Sequence, residues 1–481
     1  MKSKYIAFLG VIISVLLLVG TLPVSAATSN DRYVRLRYLE GDVTIYPEDG
    51  QRPNDATINS PVLDGDVVET TSGRAELSFR NGVLIRLGDN SSARFVSTYS
   101  PMTIELLKGT IFVDSHIVQS FRDELEIRAA EAQVYLIDEG NLRVDLGDQG
   151  GVRVSTIQGE AEVRANGQRV LLRQEERTYV DAGTAPATPE AFNQGYDELD
   201  DWNASRMNLM ASNDSYGDEQ PYVDESLQYE TNDLQNYGDW RYYGNYGNVW
   251  VPNVSVGWRP YNDGRWTYSP GGWFWVSYEP WGWAPYHYGR WGWSLDFGWY
   301  WIPGYTFGPS WVSWYDYGDY IGWCPLNYYN RPIYWGNWNG HYDGHYDNPV
   351  QKQKTGGIGV DNSWTFVKKQ DIGSGSVKKI SAAPSEVKKI HFDDSKIVRS
   401  PEKTLTSYVI PKTVKTPAYV NDARRVEPAK SDDIKSPVGV NHREEWPGRK
   451  NVNTDKNSDT RIPSSTKQWN TRPSTIPKST T

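Results

Sequence analysis

The chain has 481 residues, a formal net charge of −10 and a single cysteine, Cys324. One cysteine excludes an intrachain disulfide, so stability must come from packing or from a partner. The charge is uneven: residues 351–481 carry 25 Lys and Arg against 14 Asp and Glu, and the remainder carries 25 against 46. An acidic front with a basic tail argues against nucleic acid as the main target and directs the tail toward something anionic.

Lys2 and Lys4 form a short positive start, Ile6 to Gly20 is almost wholly apolar, and Val24-Ser25-Ala26-Ala27 places small residues at a cut. This is the pattern of a secretory signal peptide over residues 1–26, cleaved after Ala26 or Ala27. Its apolar run is short of the roughly 20 residues that a spanning helix needs. No later segment is long and apolar enough to replace it. The expectation is an extracytoplasmic protein, periplasmic or secreted, with no transmembrane segment after cleavage.

Residues 33–182 read as strand after strand. Ala75-Glu76-Leu77-Ser78-Phe79, Val83-Leu84-Ile85-Arg86-Leu87 and Thr103-Ile104-Glu105-Leu106-Leu107 alternate or nearly so, and Asn81-Gly82, Lys108-Gly109 and Asn166-Gly167 are turn signals between them. Many short strands with no helix pattern predict an all-β sandwich or solenoid. Residues 183–236 are acidic and poor in apolar side chains. They read as a linker holding one polar helix within Glu190 to Met210.

Residues 237–346 are predicted to be a Trp/Tyr/Gly-rich module of small β repeats. Trp258-Arg259-Pro260-Tyr261-Asn262-Asp263-Gly264-Arg265-Trp266 recurs as Trp283-Ala284-Pro285-Tyr286-His287-Tyr288-Gly289-Arg290-Trp291, and a degenerate third copy starts at Trp323-Cys324-Pro325-Leu326. Trp250 and Trp275 precede the first two copies and are each followed by Val; Trp301 resembles them. This gives about three units, each a hairpin or meander, with helix disfavoured by frequent Gly and Pro. Residues 347–481 form a basic Lys/Ser/Thr/Pro-rich tail, expected to be mostly disordered. Within it, Trp364 to Val367 and Lys388 to Phe392 are candidate short strands. The fold class is therefore mainly β.

Two stretches resemble known families. Ser72-Gly73-Arg74-Ala75-Glu76-Leu77, Asn81-Gly82-Val83, Leu107-Lys108-Gly109-Thr110-Ile111-Phe112-Val113 and Ile157-Gln158-Gly159-Glu160-Ala161-Glu162-Val163 resemble the FecR domain, the periplasmic sensor domain of iron-dicitrate-type regulators. The resemblance implies an all-β extracytoplasmic domain. The regulators also carry a cytoplasmic anti-sigma segment; the few residues before Ile6 leave no place for one, so an anti-sigma role is not expected. Trp281-Gly282-Trp283-Ala284-Pro285-Tyr286-His287-Tyr288-Gly289-Arg290-Trp291 resembles a tryptophan-rich domain of unknown function found in exported bacterial proteins, which implies no activity.

Tyr286, Trp266 and Trp291, with Arg265 and Arg290 at equivalent repeat positions, are the candidate ligand-binding residues. Aromatic faces stack on sugar rings, and guanidinium groups pair with carboxylates or phosphates. The competing reading makes most of the tryptophans each other's core, with the arginines stacked on neighbouring rings. His341 and His345, in a doubled His-Tyr-Asp, are weak metal candidates. No nucleophile elbow, phosphate loop or zinc-protease helix occurs, so neither enzyme activity nor a cofactor is expected. The sequence supports an envelope scaffold or binding module for a polysaccharide, peptidoglycan or protein; the alternative is a periplasmic sensor or signalling adaptor.

Overall fold

The computed structural model describes residues 33–48, 54–79, 82–99, 101–115, 125–192, 197–214, 223, 227–269, 271–333, 363–390, 393–398, 400–401 and 405. The signal-peptide reading of residues 1–26, and the tail beyond residue 405, lie outside them. The described residues are mainly β, and no helix among them is long and apolar enough to cross a membrane.

Twelve strands of five residues or more build the first domain: β1 (Val34–Tyr46), β2 (Val67–Ser78), β3 (Val83–Leu87), β4 (Ser92–Ser97), β5 (Met102–Ser115), β6 (Leu125–Ala129), β7 (Ala132–Leu136), β8 (Gly140–Leu146), β9 (Val152–Gln158), β10 (Ala161–Ala165), β11 (Gln168–Leu172) and β12 (Glu176–Val180). All belong to one hydrogen-bonded sheet, and all feed one apolar core, from Leu36 on β1 to Val180 on β12. A sheet whose every strand reaches a common core has to curl, and long bent strands let it do so. Strand β5 pairs with β4 and β6 along its first half and with β3 and β8 along its second. The change of partners falls at Gly109, where φ is +77°.

The sequence reading takes Lys108-Gly109 for a turn, but the structure keeps both residues inside one strand. A glycine kink re-aims a strand without ending it. Asn166-Gly167 does turn the chain. Both residues have positive φ, 48° and 72°, and join β10 to β11 in a two-residue hairpin of the kind that strand twist favours.

The segment read as a linker carries a helix, α1 (Glu198–Asp214). Asp197 caps it by accepting from the amides of Leu199 and Asp200, both at 3.0 Å, and acidic residues in its first turn suit the helix dipole. The helix lies on the sheet face turned away from the apolar core. Across β1, β2, β3, β5, β8 and β9 that face presents the row Tyr38, Glu76, Arg86, Phe112, Arg143 and Ser155. Arg206 of α1 binds Glu76, and Asn203 accepts from Arg86 at 2.7 Å. This segment packs through charge where the sequence rule looks for apolar periodicity.

The second domain is built from four hairpins: β13 (Gly238–Tyr242) with β14 (Asn248–Pro252), β15 (Gly264–Ser269) with β16 (Gly272–Ser277), β17 (Tyr288–Ser294) with β18 (Gly298–Phe307), and β19 (Val312–Tyr317) with β20 (Tyr320–Pro325). Each sets one tryptophan directly opposite another: Trp240 and Trp250, Trp266 and Trp275, Trp291 and Trp301, Trp314 and Trp323. Because β14 also pairs with β18 at Trp250 and Trp301, four indoles form a row across the sheet β13-β14-β18-β17. Strand β21 (Thr365–Lys368) adds to β20, and Ile397–Val398 adds to β19.

Two expectations change here. The described residues form four hairpins where about three units were expected, because neither the unit opened by Gly238 nor the one opened by Val312 is preceded by the Trp-X-Pro-Tyr signature that marks the other two. Trp323 does not start a third copy equivalent to Trp258 and Trp283; it stands in a strand, at the place held by Trp250, Trp275 and Trp301. One turn of helix (Trp283–His287) also forms inside the module, and all five of its residues are buried.

The glycine two residues before the first tryptophan of a hairpin has a steric cause. An added Cβ would stand 2.8 Å from the Trp250 ring at Gly238, 2.6 Å from the Trp275 ring at Gly264 and 2.8 Å from the Trp301 ring at Gly289. The second indole of each of these hairpins lies diagonally over that glycine. Gly264→Ala is therefore expected to destabilise the module by ~1–3 kcal/mol, as overpacking does. Thermal melting checks it; an unchanged midpoint contradicts the packing described.

Candidate functional site

The tryptophan-rich core sets what is left for recognition. Trp266 is 1% exposed, and Trp291 and Tyr286 are 0% exposed. Their faces are taken by other rings: Trp266 lies 4.5 Å from Trp314, and Trp291 lies 5.6 Å from Trp258 and 5.8 Å from Tyr286. These three candidate residues therefore build the core and offer no open stacking face. Tyr261 and Tyr286, equivalent in the repeat, meet edge to face at 4.7 Å, and the Tyr261 hydroxyl donates to the Tyr286 carbonyl.

The two candidate arginines separate. Arg290 stacks over Trp311, 3.5 Å from the ring centroid, and donates from Nε to Asn330 at 2.7 Å. Arg265 reaches the first domain, donating to the Ser60 hydroxyl at 3.4 Å. The structure thus brings neither arginine to a shared anion site. His341 and His345 lie outside the described residues. Among the described residues, no group of three or more His, Cys, Asp or Glu could hold a metal ion.

The surface that remains is the other face of β13-β14-β18-β17. Strand alternation sends Trp299 and Trp301 inward and Tyr300 and Ile302 outward, where they pack with Val249 and Val251 in a separate small cluster. Tyr243, Tyr246 and Phe297 border this cluster and are half-buried. Tyr243 meets Phe297 and Tyr300 edge to face, each at 5.1 Å, and Tyr246 leads to Tyr328 at 5.4 Å. Tyr328 and Tyr329 are exposed, at 55% and 45%. The result is a tyrosine-rich surface of flat faces with hydroxyl edges, suited to sugar rings or to a protein surface. Burial, reinforced by Tyr329 and Tyr243, pushes the Tyr246 hydroxyl up to about 12, so it stays a neutral donor. Counting tryptophans hides this face; the tyrosine between Trp299 and Trp301 is the signal that marks it.

The two domains are also joined by buried polar contacts. Arg35 on β1 bonds Asn59, Glu230 and the Pro280 carbonyl, and Arg37 pairs with Asp233 at 3.0 Å. The Asn59 amide donates to the carbonyls of Ser277 and Glu279, at 3.2 and 2.8 Å. Tyr33 stacks on Phe307 at 5.0 Å.

Glu279 stands beside this junction. Its carboxylate accepts from Trp258 Nε1 at 2.5 Å, from the Tyr286 hydroxyl at 2.6 Å and from the Ser277 hydroxyl at 2.9 Å. Burial raises its pKa to about 7; the three donors pull the other way without cancelling the burial. His287, packed between Phe274 and Phe307 and bonded to the Gly308 carbonyl, is driven down to about 3 by burial and is neutral.

Residues 66–164 match the family model described as FecR protein, and residues 231–330 match the one described as a family of unknown function, DUF6600. The two domains are a FecR domain and a DUF6600 domain. No curated protein matches the chain. Two similar solved structures are each described as an anti-sigma factor from Parabacteroides distasonis ATCC 8503. They share 16% and 14% identity with this chain, with TM-scores of 0.24 and 0.24, and cover 28% and 39% of it. The chain spans 64% of the length of the first and 99% of the second. A likeness that slight carries no argument.

Two outcomes are expected in the DUF6600 domain. Trp283, 2% exposed against Phe274, His287 and Phe307, should cost ~3–5 kcal/mol when changed to Ala, whereas Arg290→Ala should leave most of the fold intact. Thermal melting of both variants checks this. Glu279 gives a pH signature. Its folded pKa of about 7 lies above the ordinary 4.5, so the folded chain holds a proton that the unfolded chain releases between those values. Stability should therefore fall by up to ~3 kcal/mol as pH rises across that window, and Glu279→Gln should flatten the slope. Urea melts at pH 5 and pH 8 test this (~1.4 kcal/mol per pKa unit); equal slopes in parent and variant contradict it.

Proposed function

We propose that the chain is an extracytoplasmic, non-enzymatic sensor or signalling adaptor, in which the DUF6600 domain meets an envelope component and the FecR domain communicates with a partner. The match of residues 66–164 to FecR carries this reading. The buried junction at Arg35, Arg37 and Asn59 supports it, since it links the two domains through paired polar groups. No cofactor enters the proposal. The chain would reach its place through the N-terminal signal, and the mature protein should begin at Ala27 or Thr28. N-terminal sequencing of the fractionated protein tests export; an intact Met1 on membrane-bound protein refutes it.

A second reading, scaffold or binding module for a polysaccharide or peptidoglycan, is favoured by one observation: the exposed tyrosine face around Tyr328 and Tyr329. The two readings separate in one experiment. In vivo cross-linking from the exported chain should trap a membrane-bound regulator if it is an adaptor. Sedimentation with purified envelope polymer, with no such regulator trapped, would overturn the adaptor reading in favour of the scaffold. Tyr328→Ala with Tyr329→Ala should leave the unfolding free energy within ~0.5 kcal/mol of the parent, as surface changes do, and weaken whichever contact is found.

A further inference from the structure

The FecR domain buries charged side chains on the sheet face turned away from its apolar core. Its apolar core draws on each of the twelve strands and, among the described side chains, on none of α1. On the opposite face, Glu76, Arg86 and Asp114 have side chains 0% exposed, with Arg86 Nε 2.8 Å from Glu76 and Arg86 Nη2 2.8 Å from Asp114. Burying such pairs gives little net stability compared with apolar packing. A charged layer kept in this position points to recognition.

What covers the layer is held by charge. Arg206 of α1 reaches Glu76 at 2.6 Å, and Asn203 donates to Asn141 at 3.0 Å. The acidic start of the helix meets two arginines of the sheet: Arg143 pairs with Asp197 and Asp200, both at 2.8 Å, and Arg74 pairs with Glu198 at 2.9 Å. Trp202 tucks in, whereas Leu209 is 53% exposed. A helix without an apolar stripe gains little from packing an amphipathic face, and α1 (Glu198–Asp214) depends on the charged contacts that hold it. The domain recognises acidic side chains a second time beside it: Arg35 and Arg37 on β1 take Glu230 and Asp233 from the segment that opens the DUF6600 domain.

We propose that α1 is an intramolecular occupant of a recognition face on the FecR domain, and that this face accepts an acidic helical segment of a partner protein when α1 lifts away. The arginines at positions 74 and 143 supply the charge that selects such a partner, and the Glu76–Arg86 layer supplies the polar floor on which Asn203 and Arg206 now rest. The proposal is independent of what the tyrosine face binds.

Hydrogen exchange on the full chain tests it. Raising salt from 0.1 M to 1 M shortens the screening length from about 10 Å to about 3 Å. The α1 amides should then exchange at least about tenfold faster, while those of β3 and β5 keep their protection. Asp197→Asn with Asp200→Asn should produce the same loosening at low salt. A synthetic peptide of residues 197–214 should bind that variant, and the same peptide with its acidic residues as amides should not. Protection of α1 equal to that of β3 at both salt concentrations overturns the proposal. So does a loosened variant that binds neither peptide, or both equally.

Discussion

The second domain depends on one repeated contact, an indole set directly across a hairpin from another indole. Seven of the eight indoles in these pairs are buried in the aromatic core of that domain, to which Leu and Ile supply little. Aromatic pairs prefer tilted and edge-to-face arrangements, and two of the four pairs meet so: 66° between Trp266 and Trp275, 60° between Trp314 and Trp323. The glycines beneath three of the rings leave bare backbone where the indole crosses the ladder diagonally, whereas the fourth hairpin has Val312 at that place. The tyrosine face follows from the same contact, because strands that commit alternate residues to indoles have only the other set to present outward.

The first domain solves a different problem. Its core is aliphatic and complete, and its second face is polar, so that face is covered by segments that bring matching charges. The arginines on β1, β2, β3 and β8 each find a carboxylate, from the neighbouring strand, from α1 or from the start of the DUF6600 domain. The stretch between the domains is therefore part of the structure at α1 and again at residues 227–236. Arg86 pulls Glu76 well below the usual carboxylate range despite its burial, to about 2, with Arg206 assisting, so Glu76 stays ionised throughout the ordinary pH range.

Much of this was legible in the sequence, and the failures have physical reasons. Alternating apolar residues disclosed the strands of the FecR domain, and Asn166-Gly167 disclosed a hairpin. Lys108-Gly109 misled because a kink and a turn ask the same thing of glycine. The repeat was visible in Trp258 to Trp266 and Trp283 to Trp291, but its proper frame was not. The hairpin pairs Trp240 with Trp250 and Trp314 with Trp323 across turns of different length, and a linear comparison aligns the turns in place of the ladder. Trp266, Trp291 and Tyr286 stood out as binding candidates because aromatic residues serve both cores and sites; only their enclosure separates the two roles. The face formed by Tyr243, Tyr300 and Tyr328 joins residues from separate connections and strands, so only Tyr300, set between Trp299 and Trp301, gave a local sign of it.

The packed indoles have an optical consequence. Rings whose centroids lie 4.5 to 5.8 Å apart, as among Trp266, Trp275, Trp314 and Trp323, cannot absorb as isolated chromophores. Their transitions couple, and the coupled bands overlap the amide region used to estimate secondary structure. The circular dichroism of this protein should therefore report ring geometry as much as backbone. A spectrum that departs from an ordinary β shape would be a fingerprint of an intact indole ladder, lost in one step when the DUF6600 domain unfolds.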